Sequence, residues 1–222
     1  MHLRTPAVLA AAAALALGAT ACGSDESSTS SSGSSGSGEQ AKPVADVPQL
    51  TGKSTAVTLD AGFVDALTQL KLTPSPLGDA TISEQGVASF PITGGNVKYF
   101  KPGTVSPYVQ GEIDHDGSGL QLQGGGKTVR LTDFVVDPGA SVLTGKVTVD
   151  GKEAAASAPL FFLDGRTLEP LEAKDDGTAV LEGTTVKFKD ESAQLLNDTF
   201  GVDAIKGGLA VGVAKITVNT GG

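Results

Sequence analysis

The 222-residue chain has one cysteine, Cys22, two histidines and no tryptophan. A single cysteine excludes an intramolecular disulfide and any Cys-rich zinc or iron–sulfur site. Two histidines leave few ways to build a transition-metal centre. Basic residues are also scarce, with Lys plus Arg at 16 against 25 acids and a formal charge of -9. No basic surface is available to neutralise phosphates, which argues against nucleic acid as a partner. The one long apolar run, Pro6 to Gly18, is too short to span a membrane as a permanent helix.

That run follows Arg4 and reads as the core of a signal peptide. It leads into Ala19-Thr20-Ala21-Cys22, small residues ending at the only cysteine. The stretch resembles the lipobox of bacterial lipoproteins, in which the thiol is joined to diacylglycerol and the peptide is cut between Ala21 and Cys22. Ala19 stands where that pattern usually has Leu. The resemblance implies a signal peptide at residues 1–21 and lipidation (diacylglycerol, then palmitate) at Cys22. It also implies a protein held to the cell membrane by lipid, on the extracytoplasmic face. The competing reading is an ordinary secretory peptide cut after Ala21, with Cys22 left as a free thiol.

From Gly23 to Gly38 nearly every residue is Ser or Gly, with no apolar side chain to offset the entropy of ordering a backbone. This predicts a disordered tether over residues 22–48 and a single β-rich domain over residues 49–222. For about 25 residues of such coil the reach is roughly 25 to 30 Å. An O-glycosylated stalk has the same mechanical consequence.

In the body, short alternating apolar and polar segments are separated by turn dipeptides. Asp116-Gly117, Asp150-Gly151, Asp164-Gly165 and Asp176-Gly177 each read as hairpin turns. Expected strands are Ser54–Leu59, Val87–Thr93, Val97–Phe100, Tyr108–Asp114, Gly119–Gln123, Thr128–Asp137, Val142–Asp150, Leu160–Leu163, Thr178–Leu181, Thr184–Phe188 and Leu209–Val218. Such spacing predicts a mainly β fold, an antiparallel β-sandwich or a partly closed barrel. Val129 and Leu131 are expected on the dry face, and Thr128, Arg130 and Thr132 on the wet one. Two stretches carry a helical stripe instead: Phe63, Val64, Leu67 and Leu70 after the N-cap Asp60, and Ala193, Leu196 and Phe200 before Gly201.

Chemistry-bearing residues are few. His115 sits between Asp114 and Asp116, but no Gly-x-Ser-x-Gly run supports a Ser-His-Asp hydrolase. Asp114, Asp116 and Ser118 match the first half of a calcium loop, but Gly125 stands at the twelfth position, where a bidentate Glu belongs. A hairpin turn at Asp116–Gly119 is the simpler reading. Gly124-Gly125-Gly126 lacks the strand–helix context of a phosphate loop and reads as a turn, as does Asp175-Asp176. No catalytic residue, metal site or bound cofactor is assigned on this basis, and the chain reads as a non-catalytic binding or display domain.

The succession Phe90-Pro-Ile-Thr-Gly-Gly95, Gly111-Glu-Ile-Asp-His115, Gly119-Leu-Gln-Leu-Gln123, Val129-Arg-Leu-Thr-Asp-Phe134 and Leu143-Thr-Gly-Lys-Val147 is similar to surface-anchored β proteins of actinobacteria. Within these it resembles the HtaA-type haem-uptake domain, over most of residues 55–218. The resemblance implies that His115 falls on the family histidine, with haem or another small ligand in iron uptake as the alternative function. In that family an axial tyrosine comes from the opening helix. Gly62–Leu70 here has none, which leaves Tyr99 and Tyr108 as the tyrosines of a ligand-binding set with His115. On a straight strand Tyr108 and His115 lie about 7 residues, or roughly 23 Å, apart, which leaves only Tyr99 to meet His115 from a different strand, and no specific haemin binding is expected.

Overall fold

Local chemistry shapes the elements first. In Lys127–Asp137, Val129 and Leu131 are buried while Arg130 is exposed, the alternation expected of a strand with one dry face. Asp150 and Gly151 both take positive φ, 50° and 80°, the backbone of a tight hairpin turn. The Asp60 carboxylate accepts from the backbone N–H groups of Gly62 at 2.8 Å and Phe63 at 3.3 Å and so starts a helix. At the second helix Gly201 adopts the left-handed conformation that stops it.

A computed structural model describes residues 41–220 of the chain. In chain order it has β1 (Ala45–Val47), β2 (Lys53–Leu59), α1 (Ala61–Gln69), β3 (Thr73–Gly78), β4 (Thr81–Ile82), β5 (Val87–Pro91), β6 (Gly94–Tyr99) and β7 (Val109–Gly124). There follow β8 (Lys127–Asp137), β9 (Val142–Val149), β10 (Lys152–Asp164), β11 (Glu172–Ala173), β12 (Thr178–Phe188), α2 (Asp190–Phe200) and β13 (Ala210–Asn219). The strands form one antiparallel sheet in the order β1-β6-β7-β8-β9-β10-β12-β13-β2-β5-β4, with β3 added to β7 and β11 to β12. The sheet curls into a half-barrel, so the partly closed form of the two expected architectures is the one adopted. Its inner face and the two helices share one core, in which Phe188 packs against Phe63 of α1 and Phe161 of β10.

Several expectations need correction. The fold begins before Gln49: β1 pairs with β6, and Val47 and Leu50 are buried. Residues 41–48 therefore belong to the domain and not to a disordered tether; three strand residues among polar neighbours and prolines gave no periodicity to read. The signal peptide, Ala21, Cys22 and the tether as far as residue 40 lie outside the described residues. Asp116-Gly117 is not a hairpin turn. Tyr108–Asp114 and Gly119–Gln123 are parts of one strand, β7, which carries a bulge between His115 and Gly119. Likewise Thr178–Leu181 and Thr184–Phe188 merge into β12, with a register shift at Gly183. Asp164-Gly165 opens a short 3-10 turn, Gly165–Thr167, instead of a hairpin. Val64 lies outside the buried stripe of α1 and is exposed.

Candidate functional site

The bulge in β7 decides where its polar residues point. Three residues, Asp116 to Ser118, stand opposite Asp133 alone, which takes φ 53° and accepts from the Gly117 N–H at 2.9 Å. Gly117 supplies the left-handed turn with φ 69°, and a Cβ on Gly119 would lie 2.1 Å from the Leu131 carbonyl oxygen. The extra residues put both His115 and Ser118 inside, each 1% exposed. Ser118 spends its hydroxyl on the His115 carbonyl at 3.1 Å, and Asp116 receives the Thr93 hydroxyl at 3.3 Å. The half-match to a calcium loop is therefore a strand bulge. Burial, then the neighbouring Glu112 and Asp116, raises the Asp114 carboxyl above its ordinary range. No group of three or more His, Cys, Asp or Glu able to hold a metal occurs among the described residues.

The imidazole of His115 is fully committed. Nδ1 lies 3.2 Å from the Phe134 carbonyl and Nε2 lies 2.8 Å from Thr55 Oγ1. A carbonyl only accepts, so Nδ1 carries the proton and Nε2 accepts from the threonine hydroxyl. Phe90 meets the ring edge-on, with centroids 6.4 Å apart. Burial pushes the imidazole down to about pH 4 against its bonds to backbone, so it is neutral at pH 7. It borders a cavity of about 50 Å³ walled otherwise by apolar chains such as Leu120, Phe161 and Val211. No buried side-chain nitrogen or oxygen is left without a partner among the described residues.

A second, larger hollow opens on the same concave face, about 780 Å³. Alternate residues of β13, Ala214, Ile216 and Val218, form part of its wall, with Leu143, Leu163 and Leu181 from other strands. Tyr99 and Tyr108 line it together, their rings edge-to-face with centroids 5.9 Å apart. Burial, then Tyr99, raises the Tyr108 phenol above its usual value. Asp164, Arg166 and Lys187 stand at its rim, Asp164 and Lys187 on the face of β10 and β12 opposite Leu163 and Val186. Arg166 grips the Asp164 carboxylate through Nε at 2.9 and 3.1 Å and Nη2 at 2.6 Å, and Lys187 Nζ bonds the same carboxylate at 2.7 Å. Arg166, then Lys187, holds the Asp164 carboxyl well below the usual carboxylate range.

The structure thus brings together two of the three expected ligand residues, Tyr99 and Tyr108, but gives His115 a separate cavity. Tyr99, the one tyrosine left to meet His115, packs instead against Tyr108, while Thr55 takes the free ring nitrogen. Sequence reading missed Thr55, Asp164, Arg166 and Lys187. Only Asp164 gave a signal, as an Asp-Gly pair, and it was assigned to a turn.

No protein-family profile matches the chain, and no curated protein matches it in sequence. The C-terminal domain of HtaA from Corynebacterium glutamicum superposes on it with a TM-score of 0.55 at 14% identity, covering 79% of this chain and 99% of that one. The chain has a distant HtaA-like fold. A domain-swapped dimer of a histidine-to-alanine variant of the same HtaA domain matches at 12% identity over 72% of this chain and 92% of its own, with a TM-score of 0.45.

Haem is the group that the HtaA resemblance brings with it, and the residues present do not fit it. An iron ligand needs a free imidazole lone pair or an accessible phenolate. The only unprotonated nitrogen of His115 is bonded to Thr55, and α1, the opening helix, carries no tyrosine.

Proposed function

We propose that this is an extracytoplasmic lipoprotein, held to the cell membrane through Cys22, whose half-barrel is a non-catalytic module that binds a small ligand with an apolar body. The single observation that carries the binding reading is the 780 Å³ cleft, which falls within the roughly 300–1,000 Å³ typical of small-molecule sites and is walled mainly by apolar side chains with a few polar groups. The lipobox-like Ala21-Cys22 pair and the Ser/Gly-rich stretch after it support the membrane reading. The charge of -9 supports the exclusion of nucleic acid from its partners.

A neutral polarity-sensitive dye titrated into the full chain tests the binding half. Saturable one-to-one fluorescence enhancement, abolished by Leu181→Arg in the cleft wall, is expected; a dye response unaltered in that variant would refute it. Detergent-phase partitioning tests the anchor: Cys22→Ala is expected to move the protein to the aqueous phase or leave it unprocessed. Haemin is expected to give no saturable Soret band dependent on His115, Tyr99 or Tyr108. A one-to-one band abolished by His115→Ala or Tyr99→Phe would restore the haem-uptake alternative.

A further inference from the structure

The inner wall of the cleft carries no charge. Register decides which side chains share that face: Leu163 stands opposite Val186, Leu181 opposite Ile216 and Ile113 opposite Val136, all apolar and all bordering the cleft. The charged residues at the rim, Asp164, Arg166 and Lys187, serve one another: the Asp164 carboxylate takes Arg166 at 2.6 Å and Lys187 at 2.7 Å, with Asp164 and Lys187 on the opposite face of β10 and β12. An anion entering the cleft would give up its water and gain no counter-ion.

One polar group on the inner face is uncommitted. Tyr99 stands opposite Val109, two pleats from Ile113, so its side chain is on the same face, and it is only 5% exposed. Its ring rests edge-on against Tyr108, but among the described residues nothing bonds its hydroxyl. No buried side-chain oxygen there lacks a partner, so this oxygen opens onto the cleft that the ring lines. The hydroxyls of Thr55 and Ser118, by contrast, are spent on His115. A phenol hydroxyl donates one bond and accepts others, which suits a neutral oxygen of either kind, alcohol or carbonyl.

We propose that the cleft selects an uncharged amphiphile, an apolar body bearing one hydroxyl or carbonyl oxygen, with that oxygen bonded to the Tyr99 hydroxyl and the body lying against Leu143, Leu181 and Ile216. This rests on the reading of the cleft as a ligand site and adds the chemical class of the ligand. A neutral oxygen costs little to desolvate once it is bonded, and the apolar wall accepts the rest, whereas a carboxylate of the same length meets no cation inside.

The test uses the full chain carrying Cys22→Ala at pH 7, with three fluorescent probes that share one conjugated tetraene chain: parinaric acid, the corresponding primary alcohol and the corresponding hydrocarbon. The alcohol is expected to bind about tenfold more tightly than the acid. Tyr99→Phe removes the hydroxyl and keeps the ring against Tyr108, so circular dichroism and the urea midpoint are expected to be unchanged. In that variant the alcohol is expected to weaken about fivefold, the size of one hydrogen bond, and the hydrocarbon to stay within about twofold. Acid binding as tightly as alcohol would overturn the inference while leaving the cleft a ligand site. Alcohol affinity unaltered by Tyr99→Phe, or alcohol and hydrocarbon weakened alike, would also overturn it. Binding of none of the three probes by the folded protein would overturn the binding reading itself.

Discussion

The small cavity at His115 and the larger cleft beside it share five wall residues, Thr55, Val57, Val136, Leu143 and Val186, yet they are finished in opposite ways. Around His115 every donor and acceptor is spent on a neighbour, and the remaining void is about 50 Å³. In the cleft about 780 Å³ is left unfilled, with Tyr99 and Tyr108 on its wall. A buried polar group with all its bonds made rigidifies a core, whereas a large hollow with apolar walls and a few polar groups forms a site. A lone histidine flanked by acids is thus structural here, and the binding chemistry lies in residues whose sequence context is unremarked.

The largest effect that would sharpen this contrast is His115→Ala. It opens a cavity and strands both the Thr55 hydroxyl and the Phe134 carbonyl, so a loss of about 3 to 4 kcal/mol is expected in denaturant unfolding. Tyr99→Phe, which removes a hydroxyl that nothing bonds among the described residues, is expected to stay within about 0.5 kcal/mol. Similar costs at the two positions would erase the distinction between scaffold and site.

Acid comes next. The folded His115 titrates near 4 and its unfolded counterpart near 6.5, so between those values the unfolded chain binds more protons. The histidine's contribution to stability is full above about pH 6.5 and is lost as the pH falls toward 4. At about 1.4 kcal/mol per unit, the loss reaches roughly 3 kcal/mol. Urea midpoints measured across that range should show this fall and should flatten in His115→Phe. An unchanged slope in the variant would mean that another group carries it.

A smaller effect is expected from Thr55→Val, which keeps the shape and removes the proton given to Nε2. About 1 to 2 kcal/mol should be lost for the unpaired imidazole nitrogen, with the neutral dye still bound in the cleft. A change in dye affinity larger than the change in stability would show that Thr55, which lines both hollows, contributes to ligand binding and not only to holding His115.

The two outcomes of the Asp-Gly pair show how far the sequence carries. Asp150-Gly151 closes a hairpin between β9 and β10, and the bonds Asp150 makes to Lys127 and Thr128 of β8 hold that turn in place. Asp116-Gly117 has the same local preference, but Asp133 on the adjacent strand takes the Gly117 N–H and the chain continues as a bulge. β3 was hidden for a related reason. Pro74 and Pro76 argue against a strand, yet their spacing of two turns both missing donors to the side away from β7, the only strand β3 pairs with among the described residues. The buried alternation of β8, the stripe of α2 and the cap at Asp60 were legible because each is decided within a few residues.

By itself the sequence determined the strand and helix chemistry, the antiparallel β class and the lack of any basic surface, since these depend on neighbours along the chain and on composition. Only the tertiary structure decided the cleft. Thr55 and His115 are 60 residues apart and six strands apart along the sheet, and they meet because the sheet curls. Curl is the sum of twists and bulges over many strands, and no local periodicity encodes it.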